Sequence, residues 1–160
     1  ARVQAYRLIG YENRLLRSED FNDDLKDAGE LGAGHTVTAL YEVVPVGERV
    51  DLPLVDPLKY QRPSTPAGGG DELLTVKLRY KHPVGESSRL LSFVVPDALT
   101  PASPDARFAA AVAEFGMLLR DSPHKGRASW DEVLELAGAS AGDDPYRREF
   151  LALVKQAQAL

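Results

Sequence analysis

Residues 36–46 read TVTALYEVVPV, and this stretch decides the fold class. Val37, Ala39, Tyr41 and Val43 alternate with Thr38, Leu40, Glu42 and Val44, and β-branched and aromatic residues dominate. That is the period and composition of a strand. Pro45 has no N–H to give to a ladder, so the strand is expected to end there or to lie on a sheet edge. Gly47-Glu48 would turn the chain into a short partner, Arg49 to Val55. Upstream, Arg2 to Gly10 reads as a strand, with Val3, Ala5 and Arg7 on one face and Tyr6 and Leu8 on the other. Downstream, Leu73 to His82 alternates Leu74, Val76, Leu78 and Tyr80 with Thr75, Lys77 and Arg79, which predicts one buried and one wet face. Pro83 to Ser88 supplies a hairpin turn, and Leu90 to Val95 is expected to return as a more fully buried strand.

After residue 100 the period changes to that of a helix. Ser103 is placed to cap a helix with Pro104 at its first position and Asp105 at the positive end of its dipole. Phe108, Val112, Phe115 and Leu119 fall on one apolar stripe. Ser129 and Glu132 have the spacing of a capping box for a second helix carrying Trp130, Val133, Leu134 and Ala137. Asp144-Pro145 starts a third, with Tyr146, Phe150, Leu153 and Ala157 predicted on its inner face. The predicted class is α+β: an antiparallel sheet or partial β-sandwich of four to five strands, followed by a three-helix tail packed on it. A closed sandwich usually needs about seven strands, so helices, or strands from outside the chain, must complete the sheet. Residues 1–97 form the β-rich region, with an acidic loop at 12–34 and a Pro/Gly loop at 56–70. Residues 103–160 form the helical region, and the two are expected to make one compact unit.

The 160 residues suffice for one domain without disulfide or metal staples, and there are no cysteines. That removes thiolate metal sites and cysteine nucleophiles. Net charge is −5. Most of it lies between Glu12 and Glu30, where Glu12, Glu19, Asp20, Asp23, Asp24, Asp27 and Glu30 face only Arg14, Arg17 and Lys26. Such a segment repels phosphate backbones, so nucleic acid is not expected as a partner. No apolar run approaches the ~20 residues of a membrane span, so the segment is expected to be soluble. It begins at Ala1 and runs straight into a strand pattern, which suggests a fragment of a larger protein.

One stretch is more specific. YRLIGYENR (6–14), DFNDD (20–24), DAGE (27–30) and GAGHTVTALYE (32–42) stand in an order that resembles the C-terminal domain of unknown function of bacterial von Willebrand factor type A proteins. A looser likeness returns at EFGMLLRDSPHKGRASWDEVLELA, residues 114–137. The resemblance implies a type A domain in the same polypeptide as partner. It also implies a cell-envelope location, with export and lipid anchoring through the parent protein. The type A adhesion motif Asp-x-Ser-x-Ser does not occur in these residues.

Candidate sites are few. Gly138-Ala-Ser140-Ala-Gly142 matches a nucleophile elbow as a string, but the elbow needs a strand before its serine and a helix straight after. A small-residue linker between helices is the expected reading. Asp20, Asn22 and Asp24 resemble the opening of an EF-hand loop, yet Leu25 and Leu31 occupy the positions that need Gly and Glu. A looser calcium site from Asp20, Asp23, Asp24, Asp27 and Glu30 stands as the alternative function. The more ordinary role for these acids is turn capping and pairing with Arg7, Arg14, Arg17 or Lys26. A short helical turn is expected around Asn13 to Arg17. Gly29, Gly32 and Gly34 predict a tight turn rather than a phosphate loop. His35 is expected to be a hydrogen-bonded structural residue, and Trp130 a core residue. Taken together these residues predict no catalytic site, no cofactor and no metal, and an interaction or scaffolding domain.

Overall fold

A computed structural model describes residues 2–10, 15–26, 29–48, 70–85 and 87–160. The element order is β1 (Val3–Ile9), a 3-10 turn (Ser18–Asn22), β2 (Leu40–Pro45), β3 (Glu72–Tyr80), β4 (Arg89–Pro96), α1 (Pro104–Leu119), α2 (Trp130–Ala141) and α3 (Pro145–Gln158). This is the expected α+β order, with helices at the C-terminal end. The strands form two two-stranded sheets, β1 with β2 and β3 with β4. The expected fifth strand, Arg49 to Val55, and residues 56–69 of the Pro/Gly loop lie outside the described residues. The chain divides into two compact units: Ala1–Val37 with Tyr41–Leu99, and Thr38–Leu40 with Thr100–Leu160.

In the first unit, Val46 N–H donates to the Arg2 carbonyl at 2.9 Å, and Arg7 pairs with Glu42 at 2.5 Å, so β1 and β2 run antiparallel. Counting along such a pair brings the end of β1 opposite the start of β2. Gly10, at φ 78°, ends β1. Residues 36–39 fall beyond the end of β1 and join no ladder among the described residues, and β2 is four residues shorter at its start than its composition predicts. Strand propensity needs a partner to be realised. Pro45 ends the strand, as expected. β1 has a strand on one side only among the described residues.

β3 and β4 pair antiparallel from Leu74↔Val95 to Tyr80↔Arg89, with an irregularity at Glu72/Leu74 that leaves Leu73 unopposed. Two expectations fail here. β4 is not the more buried strand: Leu90, Phe93 and Val94 are each more than half exposed, and Leu91 is 39% exposed. Nor is the Leu74–Tyr80 face of β3 buried, since Val76 and Leu78 are 45% and 51% exposed. Periodicity reports which residues share a face, but burial needs a second layer against that face.

The second unit has a filled core. Ala111, Phe115, Val133, Ala137 and Val154 are buried, with Phe108, Trp130, Leu134, Phe150 and Leu151 packed around them. Phe115 meets Trp130 and Phe150 edge-on at 5.9 and 5.3 Å, and Phe108 meets Phe150 at 5.4 Å. The caps form as predicted: Ser103 Oγ accepts from Ala106 N–H, and Asp144 Oδ1 accepts from Tyr146 and Arg147 N–H. The inner stripes of α1 and α3 are turned by about one residue from the expected ones. In α1, Ala111 and Leu118 face the core while Val112 and Leu119 are 42% and 56% exposed. In α3, Leu151 and Val154 point inward while Tyr146 and Leu153 are 80% and 49% exposed. α2 matches its prediction, and Trp130 is a partly buried member of the core margin.

Candidate functional site

The acidic segment folds around its own backbone. The helical turn lies at Ser18–Asn22, later than the predicted Asn13 to Arg17, of which Asn13 and Arg14 lie outside the described residues. Asp23 Oδ1 accepts the N–H of Leu25 at 2.9 Å, a side-chain turn of the kind short acids favour. Asp20 lies 3.5 Å from Lys26, and Arg17 pairs with Glu19. Both lie within the range of surface pairings expected.

Asp24 does something the sequence did not announce. Its carboxylate accepts the N–H of Ser88 at 3.1 Å, the Ser88 hydroxyl, and Arg79 Nη2 at 3.3 Å. Lys81 Nζ donates to the Asp24 backbone carbonyl. Arg79 also reaches Asn22 Oδ1 at 2.8 Å and Ser88 Oγ at 2.7 Å. Asn22 and Asp24 of the DFNDD motif thus clamp the end of the β3–β4 hairpin. The Ser88 hydroxyl and N–H, helped by the Arg79 and Lys81 charges, hold the Asp24 carboxyl below the usual carboxylate range. The partners lie more than fifty residues away, and the one advance signal is charge: Arg79 and Lys81 sit on β3 or just past it, opposite in sign to the acidic stretch.

The five acids of the calcium alternative are thus not brought together as far as the structure describes them. Asp20, Asp23 and Asp24 engage different partners, Glu30 is exposed, and Asp27 lies outside the described residues. Among the described residues, no three His, Asp or Glu side chains gather as metal ligands do. His35 N–H donates to the Gly32 carbonyl at 3.1 Å, closing a turn with Gly34 at φ 80°. Its ring packs on Gly32, where an added Cβ would stand 3.0 Å from Cδ2. The glycine-rich segment is therefore the tight turn predicted, and His35 is built into it.

Ser140 corrects another expectation. Residues 138–141 are not a linker but the last turn of α2, and Gly142, at φ 56°, ends the helix. Ser140 is buried, and its hydroxyl donates to the Leu136 carbonyl at 2.5 Å, satisfied by its own helix. With no strand before it, the serine lacks the exposed, strained setting of an elbow nucleophile.

Two polar devices organise the helices. Arg147 donates to the Ser140 carbonyl at 2.8 Å and to Asp105 Oδ1 at 2.5 Å, and its guanidinium lies 4.8 Å from the centre of the Phe108 ring. One side chain of α3 thus ties α1 and α2 together. Glu114, buried on the inner side of α1, accepts the Ser129 N–H at 3.2 Å, while Ser129 Oγ accepts the Glu132 N–H at 3.2 Å. The predicted capping box is half local: Glu114 takes the N–H that Glu132 was expected to take. Burial pushes the Glu114 carboxyl up from its ordinary value, and the nearby Glu132 adds to the effect. An acid on the face shared with Ala111 and Phe115 was the available sequence signal for this role.

The class these features define is an α+β domain of two small antiparallel sheets followed by three helices. The chain belongs to the family described as Uncharacterized protein YfbK, C-terminal, whose model matches residues 1–160. It is 39% identical over 163 residues to the protein named Uncharacterized protein YfbK of Escherichia coli (strain K12), a match that covers 99% of this chain and 28% of that protein. The chain therefore spans under a third of the length of the relative it matches. No solved structure matches it. None of the described helices is long and apolar enough to cross a membrane.

Proposed function

We propose that this domain is a non-catalytic interaction and scaffolding module that supports a von Willebrand factor type A domain of the same polypeptide. The observation that carries this reading is how its polar groups are used. Asp24, Arg79, Glu114 and Arg147 each hold one segment to another, while apolar strand surface faces outward. The match covers 28% of the relative's length, and a parent protein of that length would supply a large companion against which the domain could act. By the resemblance of its N-terminal motifs, the parent protein is exported and lipid-anchored at the bacterial cell envelope. The test is a pull-down in which this domain, added in trans, retains the remainder of the polypeptide, and a deletion of the domain that abolishes the parent's assembly. Hydrolysis of generic ester, peptide or phosphate substrates far above background would overturn the non-catalytic reading.

Calcium binding by the acidic segment is the alternative. A melting curve with and without millimolar calcium separates the two. A ligand at a hundredfold excess over its dissociation constant stabilises the folded state by about 2.7 kcal/mol, and the scaffold reading expects no such shift.

A further inference from the structure

We infer that the β3–β4 face bearing Leu74, Val76, Leu78, Leu91, Phe93 and Val95 is a permanent docking surface, covered by an apolar, uncharged surface from the part of the same polypeptide outside residues 1–160. This rests on the scaffold reading and gives it an address. The register sets Leu74 opposite Val95, Val76 opposite Phe93 and Leu78 opposite Leu91. Directly opposed residues share a face, so these six make a continuous apolar ladder. Val76, Leu78, Leu91 and Phe93 are 39–56% exposed. The opposite face is different in kind. It carries Thr75, Lys77 and Arg79 against Val94, Ser92 and Leu90, and its Arg79 end is already engaged by Asn22 and Asp24.

A two-stranded hairpin with both faces wet is marginal in water, so an ordered one implies a covering layer. The chemistry of the face indicates which occupant. No charged side chain interrupts the ladder before Arg89 at its end. Surfaces that exchange partners carry polar groups, because they must also be stable when free. Surfaces that never separate resemble a core cut in half. A face this apolar fits an occupant that is always present, and the relative's further 72% of length supplies one within a single polypeptide.

Hydrogen exchange tests this without any substitution. Amides of Thr75–Arg79 and Leu90–Val94 are expected to exchange more slowly in the full-length gene product than in residues 1–160 alone, by roughly tenfold or more. Equal exchange in the two overturns the inference. So does protection in residues 1–160 that grows with concentration alongside a dimer mass in sedimentation, which would assign the face to a second copy. In the trans pull-down, Val76→Lys and Phe93→Lys are expected to abolish capture of the remainder, while Val94→Lys on the opposite face leaves it intact. Capture unaffected by Val76→Lys and Phe93→Lys overturns this face but leaves the scaffold reading standing. Failure of the unaltered domain to capture the remainder overturns both.

Discussion

Asp24 and Glu114 are both acids, and their surroundings push them in opposite directions. Asp24 accepts from Ser88 and Arg79 and is held below the ordinary carboxylate range. Its contribution is therefore complete above the unfolded-state value, near pH 4, and is lost as pH falls through the lowered folded value. Asp24→Asn is expected to lower the melting temperature of the strand unit at pH 7, and the difference from wild type is expected to shrink in a pH series descending below 4. Glu114 is raised by burial and by Glu132. A raised acid stabilises the folded state below its unfolded value, and that stability is lost as pH climbs through the folded value. Glu114→Gln keeps an acceptor for Ser129 N–H without the charge. It is expected to raise helical-unit stability at pH 7–8 and to flatten its pH dependence, which thermal melts followed by circular dichroism would show.

The elements owe their ends to local chemistry and their facing to remote partners. Ser103, Ser129 and Asp144 cap three helices where the sequence places them, because capping involves only residues two or three apart. Gly142 ends α2 at φ 56° and ψ −137°, a conformation that side chains with a Cβ rarely adopt. Gly142→Ala is expected to cost about 1–3 kcal/mol in urea unfolding of the helical unit. The facing of α3 is another matter. Two overlapping stripes share Phe150 and Ala157, and the one containing Val154 turns inward because Arg147 reaches Ser140 and Asp105. Arg147→Ala is expected to destabilise the unit by roughly 2 kcal/mol, from lost charge-assisted hydrogen bonds and the contact with Phe108. Arg147→Lys should recover less than half of that, since an ammonium cannot make the forked contacts.

At the scale of the molecule the two units differ in how complete they are. The helical unit encloses its own core around Phe115, Val133 and Val154. The strand unit leaves Val76, Leu78, Phe93 and Val94 largely exposed and relies on the Asp24 clamp and short sheets. A fragment of residues 100–160 is accordingly expected to keep a cooperative helical melt. Circular dichroism checks this, and a non-cooperative trace would mean that its core depends on residues outside the fragment.

The sequence by itself determined the α+β class, four of the strands, all three helices and their caps, and the tight turn at Gly32–His35. Each is governed by periodicity or by chemistry within a few residues. It also contained the acidic segment and the GASAG string, but not their meaning. Only the tertiary structure decided that Asp24 binds Ser88 and Arg79, that Glu114 takes the Ser129 N–H, that Ser140 is sealed inside a helix, and that the apolar face of β3–β4 is left open. Those outcomes depend on which distant group arrives to satisfy a donor, an acceptor or an apolar face. Spacing along a chain does not encode that arrival, because hydrogen bonding and burial are set by proximity in space.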